Sequence, residues 1–339
     1  MGGDFAPGPV VEGAVAAASE AGLALLLVGA REELEREVSK VPRRRRPGNI
    51  RIVDAPDVVA MDEPPTRVLR GKRGASVRVA AEAVARGEAD ALFSAGHTGA
   101  SLLASLTAFG LLPGVDRPAL AATIPTLAGA AILLDSGANT ECRPHHLLQF
   151  GALGAAYART ALGIVRPRIG LLSTGEEESK GNDLTREAHQ LLKASGLHFI
   201  GNIEARDVYT GHADVIVCDG FTGNVALKVS EGMVAAIERV LQQELSRSVP
   251  LRVGTLLWRP AYRRFRRRLD DSAQGAAPLV GLRGLCLVGH GRSSARAVRS
   301  GILLADRLAR EHLVTRLADD VAETLVRTRI SLPERQVHP

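Results

Sequence analysis

Aromatic side chains are scarce, at 3% of 339 residues, and there is a single tryptophan. A core built on aromatic rings is therefore excluded, and aliphatic strands and small-residue helix contacts must carry the packing. Cysteine is also rare: Cys142, Cys218 and Cys286 lie far apart, in no Cys-x-x-Cys or Cys/His ligand spacing. That speaks against a disulfide framework or a zinc site and fits free thiols in a reducing compartment. Cys218 and Cys286 fall in strand-like runs, where a small buried residue is expected. No apolar run approaches the ~20 residues of a membrane span, and Met1-Gly2-Gly3-Asp4 is no signal peptide, so the expected location is cytoplasmic. A Gly-x-Gly-x-x-Gly fingerprint and a metal-binding aspartate cluster are missing, which argues against a nicotinamide-dependent decarboxylating dehydrogenase.

The length allows one large α/β domain or two lobes. The net charge of +6 favours an acidic partner or substrate. Apolar runs at 23–28, 50–53, 91–94, 131–135, 168–173, 215–219 and 285–288 read as strands. Helical patterns lie between them at 31–40, 76–86, 99–109, 144–162, 184–194, 224–245 and 293–309. This alternation predicts a mostly parallel sheet covered by helices on both faces. The arginines 43–46, bracketed by Pro42 and Pro47, read as a solvated loop.

The stretch from Gly170 to Asp183, GLLSTGEEESKGND, ends a buried strand in hydroxyls, a glycine, three carboxylates and Lys180. Asn182 or Asp183 is placed to cap the helix that follows. Four other strands end in similar loops, at Ser94–Gly99, Asp135–Thr140, Asp219–Asn224 and Gly289–Ser294. Each alone is an ordinary strand-to-helix turn. In a parallel sheet, however, all five lie on one edge and predict one cleft suited to an anion.

Residues 251–269 are an exception to the alternation. Trp258, Tyr262, Phe265 and Leu269 recur at helical spacing, and Arg259, Arg263, Arg264, Arg266, Arg267 and Arg268 cover the other faces. Such a basic amphipathic helix packs on the body, docks an acidic protein, or lies on an anionic membrane surface. No nucleic-acid-binding module is apparent, and none is expected.

Six motifs in one order resemble the bacterial PlsX phosphate acyltransferase family. They are LRGKRGAS (69–76), ADALFSAGHTGA (89–100), DRPALAATIPT (116–126), LLDSGANTECRP (133–144), GEEESKGNDLTREA (175–188) and DVIVCDGFTGNVALK (214–228). The resemblance runs from MGGDFAP at residue 1 to the helix after GHGRSSARA. It implies a Rossmann-like three-layer α/β/α fold related to phosphate acetyltransferases. It also implies transfer of a long-chain acyl group from the thioester of acyl carrier protein to inorganic phosphate, in a homodimer loosely associated with the membrane. The acyl phosphate product would serve a membrane glycerol-3-phosphate acyltransferase in phospholipid synthesis. No cofactor or metal is implied. On this reading residues 1–330 form one domain, 246–275 project as a helical element, and 331–339 are a tail. In the family a short strand ending in an aspartate–alanine pair precedes MGGD; either the true start lies upstream of Met1 or that strand is missing, which would leave a sheet edge uncovered. The family also carries Asn where His97 stands.

Phosphate at neutral pH already has a deprotonated oxygen, so positioning and charge stabilisation outweigh a strong base. Lys180, Asn182 and Asn224 are the expected catalytic residues. Lys72, Ser94, Gly96, His97, Thr98, Asn139, Ser173, Gly175, Thr222, Gly223 and His290 are expected to bind phosphate or substrate. Trp258, Arg259, Tyr262, Arg263, Arg264, Phe265, Arg266 and Arg267 would face the carrier protein or the membrane. Glu176, Glu177 and Glu178 would turn outward or pair with Lys72, Arg73 or Arg70. The alternative activity is a short-chain acyl-CoA phosphate acyltransferase of the same fold.

Overall fold

The structure, a computed structural model, describes residues 1–43, 46–246 and 275–331. The basic stretch at 251–269, all eight of its expected interface residues and the tail beyond Ser331 lie outside the described residues, as does part of the arginine run at 43–46. In chain order the elements begin α1 (Gly8–Ala21), β1 (Leu25–Gly29), α2 (Arg31–Lys40), β2 (Ile50–Asp54), α3 (Arg67–Arg70), α4 (Ser76–Ala85) and β3 (Ala91–Ser94). They continue with α5 (Thr98–Phe109), β4 (Ala119–Leu120), β5 (Ala122–Thr126), β6 (Gly129–Leu134), α6 (Pro144–Leu162), β7 (Ile169–Leu172) and α7 (Asp183–Ala194). Then come β8 (Phe199–Ile203), β9 (Val215–Val217), α8 (Gly220–Ser246), β10 (Ala277–Val280), β11 (Leu285–Val288), α9 (Ala295–Arg310) and α10 (Leu313–Ser331).

All seven predicted strands form, but the described strands make three sheets rather than one. β1 and β2 pair alone; the second sheet runs β3-β11-β10-β4 and the third β5-β6-β9-β7-β8. Pairing is parallel at β1–β2, β3–β11 and throughout β6-β9-β7-β8. Hairpins add antiparallel pairs at β10–β11 and β5–β6, and a long-range antiparallel pair joins β10 to β4. β4, β5, β8 and β10 were not legible as strands. Pro125 interrupts β5, which a sheet edge tolerates because an edge strand leaves amides unpaired. Gly201 and Asn202 break the apolar run of β8, and Pro278 sits in β10.

β4 and β5 are separated by one residue yet belong to different sheets, so residues 119–126 tie the two larger sheets together. The largest apolar cluster is shared in the same way. It takes Ile132 and Leu134 from one sheet and Val280, Leu285 and Leu287 from the other. Through it runs α6, nearly all of whose residues from 146 to 158 are buried. Its small residues permit that depth: a Cβ at Gly154 would lie 2.5 Å from Val215 Cγ1, and one at Gly151 2.8 Å from Leu192 Cδ2. Gly163 ends the helix in the left-handed conformation at φ 70°.

α8 behaves differently. Phe221, Val225, Val229, Met233 and Ile237 recur every fourth residue and are exposed, Phe221 at 64%, Val229 at 62% and Met233 at 57%. With Val240 they form an apolar stripe about 28 Å long that is uncovered among the described residues. No helix among the described residues is long and apolar enough to cross a membrane.

Candidate active site

β6 stops at Leu134, and the next residue organises the sheet edge. Asp135 is fully buried. Its carboxylate accepts from the amides of Leu120 (3.0 Å), Gly137 (3.1 Å), Ala138 (3.0 Å) and Asn139 (2.6 Å), and from Asn139 Nδ2 (2.9 Å). Burial pushes this carboxyl up from its ordinary value, and the amide donors pull it back. Asn139 is buried and gives its side-chain amide to Asp135 and to the Pro118 carbonyl at 2.7 Å. It therefore shapes the loop from inside.

The start of α8 is seated on this loop. Gly220 donates its amide to the Asn139 carbonyl at 2.7 Å. Gly223 passes so close that an added Cβ would lie 2.0 Å from the Asp135 carbonyl oxygen. Asp219 caps the helix, accepting from the Thr222 amide (2.9 Å) and hydroxyl (2.7 Å), so that hydroxyl is engaged. One turn on, the exposed Asn224 side chain lies beside Gly137. Another turn on, Lys228 Nζ is 3.2 Å from His290 Nε2 and 2.8 Å from Glu231.

His290 belongs to the loop after β11, the parallel neighbour of β3. The loop after β3 carries Ser94, Gly96, His97 and Thr98. Ser101 donates to Ser94 Oγ at 2.8 Å. His97 caps α5: its Nδ1 accepts from the amides of Gly99 (3.1 Å) and Ala100 (3.4 Å). An asparagine oxygen caps a helix in the same way, so the exchange for Asn preserves that local structure. The N-terminal motif closes this side, with Asp4 donating its amide to the Gly291 carbonyl at 2.9 Å and accepting from Arg292 at 3.2 Å. Ala138 packs against the apolar cluster that contains Ala100 and Val288. Direct contacts thus join the loops after β3, β6, β9 and β11.

The Lys180 loop follows β7, beside β9 on the same edge of the parallel strands. Lys180 lays its aliphatic stem over Gly175, where a Cβ would meet Lys180 Cγ at 2.8 Å. Its exposed ammonium has no hydrogen-bond or ion-pair partner among the described residues. Asn182 caps α7 by accepting from the Thr185 amide at 3.0 Å. Ser173 Oγ is enclosed and without a partner among the described residues. The acids turn toward β8 and α7: Glu176 pairs with Arg206, Glu178 with Lys193, and the Glu177 carbonyl accepts from Asn202 at 2.9 Å. All three glutamates are exposed, as the outward alternative expected, and their described ion pairs do not include Lys72, Arg73 or Arg70. Lys72 instead grips Glu63 at 2.6 Å and the Val58 carbonyl, so its donors are already engaged.

Reading the sequence missed Asp135 and Asp219 as the groups that build these loops, and missed Lys228. The last was findable, since it sits four residues after Asn224 and so shares its helix face. The thiols are poor nucleophiles: burial, followed by the charge of Asp135, pushes Cys142 up to about 11, and burial pushes Cys286 up to about 12. Asp116, His145 and His146 bring possible ligand atoms within 4.8 Å of one another. Part of their lone-pair capacity is already used: His146 Nδ1 accepts from the Arg143 amide at 3.0 Å and Asp116 Oδ2 accepts from Gln149 at 3.0 Å.

Comparison with known proteins gives the family and the fold. A family described as "Fatty acid synthesis protein" matches residues 1–316. The chain is 46% identical over 337 residues to a phosphate acyltransferase of Nitratidesulfovibrio vulgaris, covering 99% of this chain and 97% of that protein. It is 48% identical over 321 residues to a phosphate acyltransferase of Acidobacterium capsulatum, covering 95% of each. Among solved structures, a phosphotransacetylase from Streptococcus pyogenes superposes with a TM-score of 0.58 at 17% identity, over 94% of this chain and 92% of that one. The EutD phosphotransacetylase from Staphylococcus aureus gives 0.57 at 15% identity, over 89% and 92%. At such low identity these two establish the fold alone. The extent and identity of the sequence matches show that this chain belongs to the phosphate acyltransferase family of fatty acid synthesis proteins.

Proposed function

We propose that this protein transfers a long-chain acyl group from the thioester of acyl carrier protein to inorganic phosphate, giving an acyl phosphate for phospholipid synthesis. The observation that carries the reading is family membership over nearly the whole chain, joined to strand-end loops that bring cationic and amide groups to one sheet edge, with no activated thiol among the described residues. A phosphate oxygen attacks the thioester carbonyl carbon directly. The new C–O bond gives a tetrahedral oxyanion; its collapse breaks the C–S bond, and the carrier's thiolate leaves and takes up a proton. Lys180 and the amides of Asn182 and Asn224 stabilise the developing charge, each worth a large factor in a preorganised site. His290 orients phosphate or supplies the proton. Neither cofactor nor metal has a part in this scheme.

The protein acts as a homodimer, with the α8 stripes of two copies covering each other, since an exposed apolar face of this length marks an interaction surface. The arginines of 259–267 attract the acidic carrier, and Trp258, Tyr262 and Phe265 meet the membrane surface, where a downstream acyltransferase takes the product. The shared apolar core supports treating the described residues up to 330 as one domain; the expected projecting element at 246–275 lies almost entirely outside the described residues. One assay tests the activity: palmitoyl-acyl carrier protein, phosphate and purified protein, with acyl phosphate trapped by hydroxylamine. Trapped product only with a short acyl-CoA would favour the alternative that the phosphotransacetylase fold suggests.

A further inference from the structure

His290 and Lys228 face each other in a way that neither can satisfy alone. The imidazole is held in place because Nδ1 accepts from the Arg292 amide at 3.2 Å, while the Ser293 amide (2.9 Å) and hydroxyl (2.6 Å) both donate to the His290 carbonyl. A neutral imidazole has one acceptor nitrogen. With Nδ1 in that role, Nε2 carries the hydrogen and points at the Lys228 ammonium 3.2 Å away. The opposite tautomer moves the conflict to the Arg292 amide without removing it. Glu231 takes one ammonium hydrogen at 2.8 Å and leaves two.

Two N–H donors set against each other, one of them charged, are satisfied by an anionic acceptor that takes a hydrogen from each. We infer that Lys228 and His290 form the clamp that binds the acceptor phosphate. The inference rests on the acyl-transfer reading above and adds to it the pair of residues on which phosphate sits. The position fits: the pair lies one helical turn beyond Asn224, where the loops after β6, β9 and β11 meet, and it bridges α8 to the four-stranded sheet. Lys180, on the β7 side of the same edge, is then left free for the thioester carbonyl. A tetrahedral oxyanion suits the clamp, because one oxygen can meet each donor and others remain exposed for attack.

The test separates phosphate binding from catalysis. In full-length protein, Lys228→Met keeps the aliphatic stem and removes the charge. It should raise the KM for phosphate about 10-fold or more and weaken binding of inorganic phosphate by calorimetry to the same extent. The KM for the acyl donor should stay within about twofold, and Lys228→Arg should recover part of the phosphate affinity. With 15N-labelled histidine in the unmutated protein, saturating phosphate should shift the Nε2 resonance assigned to His290 by comparison with His290→Gln. An unmoved resonance, an unchanged phosphate KM in folded Lys228→Met, or equal rises in both KM values would overturn the clamp. Phosphate binding that depends on Lys228 in a protein forming no acyl phosphate would instead overturn the acyl-transfer reading and leave the clamp standing.

Discussion

Asp135 receives both amides of Asn139, the backbone N–H at 2.6 Å and Nδ2 at 2.9 Å, and this double contact holds the loop on which α8 begins. A buried carboxylate so fully satisfied is a structural device: it turns a strand end into a fixed platform for residues that face solvent.

Asp135→Asn places an amide NH2 among donors that need an acceptor. Leaving buried donors unsatisfied costs the full desolvation penalty, so a loss of about 3 kcal/mol is expected. Urea denaturation followed by circular dichroism measures it, and a change within about 0.5 kcal/mol would contradict the role given to this carboxylate.

Two glycines of the same helix should respond oppositely to alanine. Gly223→Ala would drive a Cβ to 2.0 Å from the Asp135 carbonyl oxygen and 3.0 Å from Cys218 Sγ, where overpacking costs about 1–3 kcal/mol or more. At Gly232 nothing among the described residues lies within 4 Å, and helix propensity alone favours alanine by about 0.8–1 kcal/mol. Melting temperatures of the two variants should move in opposite directions.

Lys180→Ala should lower turnover by about 100-fold or more, from loss of a preorganised charge donor, while leaving stability unchanged. The reason for intact stability is that the ammonium has no partner among the described residues. Single-turnover kinetics with a denaturation curve checks both halves.

His146 should contribute to acid sensitivity. Burial, with help from His145 and Arg117, pushes it from 6.5 down to about 4. The unfolded chain therefore takes the proton first as pH falls. The contribution to stability is complete above about 6.5 and is lost progressively toward about 4. His146→Asn keeps an acceptor for the Arg143 amide and should flatten the dependence of melting temperature on pH across that window.

Met233→Asp, at the middle of the exposed stripe, should shift the protein from dimer to monomer in light scattering after gel filtration. A charge placed in the centre of an apolar interface is left unpaired and desolvated. An unmutated protein that is already monomeric would remove the stripe from the interface.

Alternation of apolar runs with 3.6-residue patterns was enough to locate seven strands and the helices between them, because strands buried on both faces and amphipathic helices write their periods directly into the chain. The five polar loops were legible for a related reason, since each begins where an apolar run stops. The edge strands β4, β5 and β8 were not, because an edge tolerates Pro125 and a polar break such as Asn202. Nor could local pattern divide the loop residues into those that build the platform and those that face the cleft. Asn139 and Asn224 read alike, yet one is buried against Asp135 and the other exposed beside Gly137. Lys72 and Lys180 also read alike, and only the fold brings Glu63 to the first. Residue type determined which groups could meet an anion; long-range packing decided which remain free to do so, because the same hydrogen bonds that would hold a substrate can be satisfied within the protein.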